Sequence, residues 1–268
     1  MIGVILLAAQ LCRFDGYPGC VTPSGMARTF PEQILPSTNF WAKGFDFSCV
    51  SPWNSGAGAL RAGTAISPRH IIFANHFALW PGVRMVFIGE DGGVCPCSIT
   101  KTKRIGKTDI MIGLLDYELT PNIRPAKVMP SDWIAHIGSV TNFPIVTFNQ
   151  CEQLLYSKLT VVLTNGVPAS VWNQRVCETN APIGISIGDD AEGRTVNVPE
   201  FAIQRKGMIR VGDSGNPAFM IFRGEPVLMY CLLSGGVGRG PWIHQRLNEI
   251  QAAMDELEPG YRLNVVDL

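Results

Sequence analysis

Three short segments of the sequence carry side chains that together could activate a nucleophile. Ser214 lies in GDSGNP at residues 212–217, His76 ends ANH at residues 74–76, and Asp109 opens an apolar run. A serine hydroxyl attacks poorly until a base removes its proton, and an imidazole is a suitable base near neutral pH. The imidazole in turn needs a carboxylate that fixes its tautomer and stabilises its cation. These residue types predict a nucleophilic Ser214, with His76 as its general base and Asp109 as the orienting carboxylate.

The sequence around these residues resembles the chymotrypsin/trypsin-like serine peptidases, which place histidine, aspartate and serine in this order. Residues 67–76 (SPRHIIFANH) resemble the strand leading to the family's histidine, and residues 109–110 (DI) resemble its aspartate motif. Residues 212–217 resemble its nucleophile loop, with an asparagine where glycine is usual. Residues 234–236 (SGG) resemble its substrate-binding strand, with glycine replacing the usual tryptophan. The resemblance covers roughly residues 55–258.

This resemblance implies a serine endopeptidase that hydrolyses polypeptides through a Ser-His-Asp triad and an acyl-enzyme intermediate. It also implies that the backbone N–H groups of Gly212 and Ser214 form the oxyanion hole. The floor and wall of the substrate-binding site are expected to come from Met208, Ser234, Gly235 and Gly236. Because Met208 is not acidic, a preference for arginine or lysine is disfavoured, and an apolar or aromatic side chain is expected in the primary pocket.

Two other interpretations stay open. The same double barrel could be a catalytically inactive binding or structural module, although this chain retains all three residues of the triad. Residues 184–188 (GISIG) match the Gly-x-Ser-x-Gly nucleophile elbow of a different hydrolase class, in which Ser186 would attack. That elbow requires a helix after the serine, whereas residues 189–193 (DDAEG) have the composition of a turn. The sequence therefore favours Ser214.

The remaining histidines and one further aspartate occupy positions typical of structural or surface residues. His70 is expected in the turn before a strand, His136 in a surface turn, and His244 on a C-terminal helix. Asp116 is the alternative carboxylate, but it follows the apolar run and is expected to face solvent. His70 lies in the segment that resembles the strand before the family's histidine, and the resemblance implies a structural role for it.

The rest of the chain predicts the elements that position these residues. Apolar and β-branched runs bounded by turn residues predict strands at 64–66, 70–74, 83–88, 110–115, 145–148, 159–163, 195–198, 217–222 and 227–233. Many short strands without a helical pattern between them indicate an all-β protein. After Pro241, apolar residues at helical spacing predict one helix with a buried stripe, formed by Ile243, Leu247, Ile250, Met254 and Leu257.

The resemblance gives these elements an architecture, which is two packed antiparallel β-barrels with a C-terminal α-helix. Residues 1–54 are expected to be an irregular N-terminal extension and residues 55–258 the peptidase domain. Within the domain, the first barrel is expected at about 55–125, the second at about 130–240 and the helix at 242–257. His76 and Asp109 then belong to the first barrel and Ser214 to the second, with the active site between them.

Composition narrows the range of partners. The 268 residues carry 22 Lys and Arg against 22 Asp and Glu, so no net field attracts nucleic acid or an anionic membrane. Cys95 and Cys97 are too close for an easy mutual bridge and have no adjacent histidine, so we expect no metal. We expect no cofactor and no membrane span, a polypeptide substrate and a monomer.

The N-terminal residues and the cysteines bear on localisation. Residues 2–9 (IGVILLAA) form an apolar run of the length of a signal-peptide core, with a small-residue cleavage site ending at residue 9. No basic residue precedes the run, so a buried N-terminal strand is the alternative; we favour secretion or a periplasmic location. Cys12 and Cys20 flank a turn and are the favoured disulfide, whereas Cys231, inside an apolar run, is expected to be a buried free thiol.

Overall fold

The structure, a computed structural model, describes 45–51, 61–89, 93–136, 214–232 and 240–268 with their side chains. It also gives the backbone course of further strands, namely Ala27–Thr29, Gln33–Leu35, Trp53–Asn54, Val140–Phe148, Leu154–Thr164, Val167–Val176 and Pro182–Gly184. Strands β1 (Ala27–Thr29) and β2 (Gln33–Leu35) form a separate antiparallel pair. The other described strands belong to two larger sheets.

The first sheet curls into a nearly closed barrel. Its described strands are β3 (Val50–Ser51), β4 (Trp53–Asn54), β5 (Gly63–Ala65), β6 (His70–Ala74), β7 (Arg84–Ile88), β8 (Val94–Arg104) and β9 (Ile110–Leu115). Their order is β3-β5-β6-β9-β8-β7-β4, so the two edge strands are neighbours along the chain. The Ser51 hydroxyl donates to Val86 O at 2.9 Å and joins the edge strand β3 to β7, the neighbour of the other edge strand. Within the described residues, the first strand of this barrel begins at Val50.

Burial explains which strands of this barrel could be predicted. Strands β6 and β9 were predicted with their observed bounds, and every residue in them is buried. Strand β8 was missed, although its N-terminal half alternates between exposed and buried positions. Its inward positions include Cys95 and Cys97, it contains Pro96, and its second half is rich in lysine and threonine. Proline and lysine are both depleted in strands, so this sequence gives a weak strand signal.

The second sheet carries the segment that contains the candidate nucleophile, Ser214. Its described strands are β10 (Lys127–Val128), β11 (Val140–Phe148), β12 (Leu154–Thr164), β13 (Val167–Val176), β14 (Pro182–Gly184), β15 (Pro217–Phe222), β16 (Glu225–Cys231) and β17 (Asn264–Val265). The order is β14-β13-β12-β11-β15-β16-β10-β17, with β10 parallel to both of its neighbours. Arg223 and Gly224, at φ 49° and 81°, form the two-residue turn between β15 and β16.

The C-terminal helix covers the first barrel. Residues Ile243–Arg246 form one 3₁₀ turn, and α1 (Leu247–Leu257) follows it. Ile250, Ala253 and Met254 are buried in the same apolar cluster as residues of β6 and β9. The predicted apolar stripe is therefore the buried face of this helix. Among the described residues, no helix is long and apolar enough to cross a membrane.

The predicted fold class is confirmed: the chain is mostly β, with a nearly closed barrel, a second sheet and a C-terminal helix. The two sheets share apolar contacts, because Phe219 of β15 and residues of β6 and β9 belong to one buried cluster. Phe47, which precedes the first barrel, lies against Phe219 with ring centroids 5.2 Å apart. The strand predicted at 195–198 lies outside the described residues.

Of the three histidines expected at structural or surface positions, His70 and His244 are buried. His70 is the first residue of β6, not part of the preceding turn, and its Nδ1 lies 2.9 Å from the Ser67 hydroxyl. His244 lies on the 3₁₀ turn before α1, with ring centroids 5.8 Å and 5.6 Å from Trp133 and Trp242. Burial lowers the pKa of each imidazole to about 4.

This burial predicts a loss of stability in acid. An unfolded histidine titrates at about 6.5, so the unfolded chain takes up protons at a higher pH than the folded chain. The stability contributed by neutral His70 and His244 is present above pH 6.5 and is lost as pH falls toward 4. In urea titrations, His70→Gln should lower the free energy of unfolding at pH 7.5 but reduce its loss between pH 7.5 and 4.5 by about 1–3 kcal/mol. Exposed His136 provides the control, and an equal pH dependence in His70→Gln and His136→Gln would contradict the account.

Candidate active site

Strand register brings His76 and Asp109 to one edge of the first barrel. Strands β6 and β9 pair antiparallel, with Ala74 opposite Ile110 at the end of the ladder. One further backbone bond, from Asn75 N to Asp109 O at 2.7 Å, extends the pairing by one residue. His76 is the next residue along the chain, so the two side chains emerge together where the strands part.

Asp109 holds His76 through both of its carboxylate oxygens. Oδ1 accepts from the backbone N–H of His76 at 2.8 Å, and Oδ2 lies 2.5 Å from His76 Nδ1. An ionised carboxylate can only accept hydrogen bonds, so Nδ1 must carry the hydrogen. In the neutral ring, Nε2 is then left with its lone pair available. The side chain of Asp109 is 22% exposed and that of His76 44%, so the pair lies at the surface of the cleft rather than in the core.

The second sheet places Ser214 against the free nitrogen of this ring. Its Oγ lies 2.7 Å from His76 Nε2, and the residue is only 7% exposed. Two backbone bonds continue the β15–β16 ladder toward it, from Gly215 N to Leu232 O at 2.8 Å and from Leu232 N to Asn216 O at 2.9 Å. The structure thus brings together the three side chains that the sequence singled out, in the order Ser214, His76, Asp109.

Gly215 allows the two sheets to approach this closely. Its φ of +86° lies in the left-handed region, which residues with a side chain rarely adopt. A Cβ at this position would stand 3.2 Å from Ala62 O and 3.4 Å from Ala74 N, both in the first barrel. The nucleophile segment therefore rests backbone to backbone on the barrel that carries His76.

The charge of Asp109 also reaches a thiol of the second sheet. The pKa of the Cys231 thiol is raised to about 12, mainly by burial and to a smaller extent by the Asp109 carboxylate. Cys231 is buried and free, as predicted, and these surroundings keep it protonated and unreactive. Cys49, Cys95 and Cys97 are also buried free thiols.

The competing residues do not reach the site. Asp116 is exposed, as predicted, and accepts from Ser98 N at 2.9 Å. His136 is exposed and lies 3.3 Å from Asp132, one helical turn away. Several predicted residues lie outside the described residues, namely Met208, Gly212, Ser234, Gly235, Gly236, Ser186, Cys12, Cys20 and residues 1–9. Within the described residues, no group of three or more His, Cys, Asp or Glu side chains could hold a metal ion.

Comparisons with known proteins gave matches only among solved structures. No family model matches the chain, and no curated protein does. The human heparin binding protein is similar at a TM-score of 0.46 and 16% identity, covering 80% of this chain and 94% of that one. A double mutant of that protein is similar at a TM-score of 0.46 and 16% identity, covering 80% of this chain and 95% of that one. A single mutant is similar at a TM-score of 0.45 and 15% identity, covering 80% of this chain and 94% of that one.

Gly215 and Gly224 form a matched pair for testing the sheet contact. Both have positive φ, but a Cβ on Gly224 would have no heavy atom within 4 Å. Gly224→Ala should cost about 1–2 kcal/mol of unfolding free energy, which is the left-handed backbone penalty. Gly215→Ala should cost that amount plus about 1–3 kcal/mol for overpacking. Urea unfolding of the two variants measures the difference, and equal losses would show that the sheets do not depend on this contact.

Proposed function

We propose that the protein is a serine endopeptidase that cleaves polypeptides through an acyl-enzyme on Ser214. One observation carries the proposal: the unbroken chain of contacts from Ser214 Oγ through His76 to Asp109, at 2.7 Å and 2.5 Å. This chain joins residues from two different sheets, and each contact lies within or just below the usual range for a nucleophile, its base and the orienting group.

The geometry supports a defined path for the proton. The Ser214 hydroxyl donates to His76 Nε2, so Oγ can attack a peptide carbonyl carbon while its proton passes to that nitrogen. Asp109 stays ionised and stabilises the resulting imidazolium. Nε2 then gives the proton to the leaving amine, which breaks the peptide bond and leaves the acyl group on Oγ. Water, deprotonated by the same nitrogen, releases the acid and restores the serine.

The remaining parts of the mechanism are proposed from the family resemblance. The backbone N–H groups of Gly212 and Ser214 would stabilise the oxyanion, a contribution of about 10²–10³ in turnover for each donor. Met208 and residues 234–236 would form the primary pocket, which would accept an apolar or aromatic side chain because no acid lies at its floor.

Ser214→Ala tests the proposal directly. This change removes the attacking oxygen but leaves the backbone and the rest of the site, so the melting temperature should stay near that of the wild type. Because the triad acts as a unit, turnover of a casein-like substrate should fall by about 10⁶. Ser186→Ala, in the competing elbow motif, is the matched control and should retain most of the activity.

The possible outcomes separate the hypotheses. Cleavage by Ser214→Ala at the wild-type rate would exclude the proposed nucleophile, and loss of activity in Ser186→Ala alone would favour the elbow. A folded wild-type protein that cleaves no polypeptide would favour the inactive binding module.

A further inference from the structure

Arg61 lies beside the candidate active site on a surface that we call the cleft wall, formed by residues 61–63 and 77–79. Its Nη1 donates to Ala78 O at 2.6 Å, and its guanidinium lies over the Phe77 ring, 4.6 Å from the centroid. Phe77 directly follows His76 along the chain. The planar cation is therefore held against the residue that follows the candidate general base in the sequence.

The cleft wall also touches the nucleophile segment. Ala62 O is the backbone atom that a Cβ on Gly215 would meet at 3.2 Å. The two halves of the wall pack tightly, because a Cβ on Gly63 would stand only 3.2 Å from the Leu79 side chain. Arg61 thus precedes Ala62, which lies against the residue after Ser214, and packs on Phe77, which follows His76.

The anchored guanidinium has donors that the described residues do not use. Its Nε is buried and has no hydrogen-bond partner there. Nor does any carboxylate within these described ranges pair with Arg61, whereas Arg69, Arg246 and Arg262 each pair with one. A buried cationic donor without an acceptor is costly, and the guanidinium fork matches a carboxylate in two parallel hydrogen bonds. The chemistry of this position is therefore that of a carboxylate-binding site.

The position of the wall indicates which part of a substrate would reach it. In the proposed mechanism, His76 Nε2 gives its proton to the leaving amine, so the leaving group lies on the His76 side of the scissile bond. Phe77 follows His76, and the Arg61 guanidinium lies over the Phe77 ring, 4.6 Å from the centroid. Arg61 therefore lies on the side where the leaving amine and the residues after it would pass.

We propose that Arg61 is a specificity residue that binds a carboxylate on the leaving-group side of the scissile bond; the inference rests on the proposed peptidase function. The carboxylate can come from an aspartate or glutamate soon after the cleaved bond, or from the C-terminus of a short leaving fragment. Both sources offer the same pair of acceptor oxygens to the guanidinium.

Matched peptides distinguish these sources. All peptides of the first set share the same acyl part. Each carries either Glu or Gln at the first or the second position after the scissile bond. A second set has only neutral residues there and ends two residues after the bond in either a free carboxylate or an amide. A third set moves the Glu/Gln pair to the acyl side. The measured quantity is kcat/KM for each peptide.

Arg61→Gln should lower kcat/KM for the preferred acidic peptide by about 10- to 100-fold, since a hydrogen bond to a charged partner is lost. The value of kcat/KM for the matched neutral peptide should change by less than about twofold. The same holds for the two peptides that carry Glu or Gln on the acyl side. Arg61→Lys, which keeps the charge but not the fork, should retain part of the preference. Arg223→Gln is the control, because Arg223 also stacks on an aromatic ring, 5.0 Å from the Phe222 centroid, but lies at the far end of β15.

The outcomes keep the two proposals apart. The inference is overturned, while the peptidase proposal stands, if the wild-type enzyme cleaves the acidic and neutral peptides equally. It is also overturned if the Arg61→Gln variant keeps the preference for acidic peptides. Equal loss on all peptides in both Arg61 variants also overturns it, because Arg61 would then only support the wall. Absence of cleavage of every peptide by the wild type, with Ser214→Ala indistinguishable from it, rejects the peptidase proposal itself.

Discussion

The close approach of Gly215 to the first barrel is the constraint on which the rest of the site depends. His76 and Asp109 leave one sheet, and Ser214 leaves the other, so no local sequence can bring them together. The contact favours a residue without a side chain, because a Cβ would stand only 3.2 Å from Ala62 O and 3.4 Å from Ala74 N. The left-handed backbone at Gly215 then turns the preceding serine toward His76 Nε2, 2.7 Å away. Shared packing, such as that of Phe47 on Phe219, holds the two sheets in this relation.

The histidines of this chain differ in their burial and in their hydrogen-bond partners. His70 and His244 are almost completely buried, and burial lowers the pKa of each toward 4, which keeps them neutral within the core. His76 is partly open to solvent and is the one that faces a carboxylate on one nitrogen and a serine on the other. A base must be reachable by the group that it deprotonates, so exposure and directed hydrogen bonds distinguish it from its buried counterparts.

Sequence reasoning predicted the parts of this molecule that depend on local pattern. Continuous apolar runs predicted β6, β9 and β15 with their observed bounds, and helical spacing predicted the buried face of α1. The triad residues stood out because each lies in a distinctive motif. Strand β8 was missed because its inward cysteines and its proline obscure the alternation. Arg61 was missed for a different reason: its place beside the site arises from packing between segments 61–63 and 77–79, for which the sequence gives no signal.

The central claim is that His76 activates Ser214, and covalent labelling tests it most directly. A fluorophosphonate reacts with a serine whose proton is removed by a nearby base, and mass mapping identifies the modified residue. The account predicts one adduct, on Ser214, that forms rapidly in the wild type and almost disappears in a folded His76→Ala variant. An adduct on Ser186, or labelling of Ser214 at the same rate without His76, would contradict it.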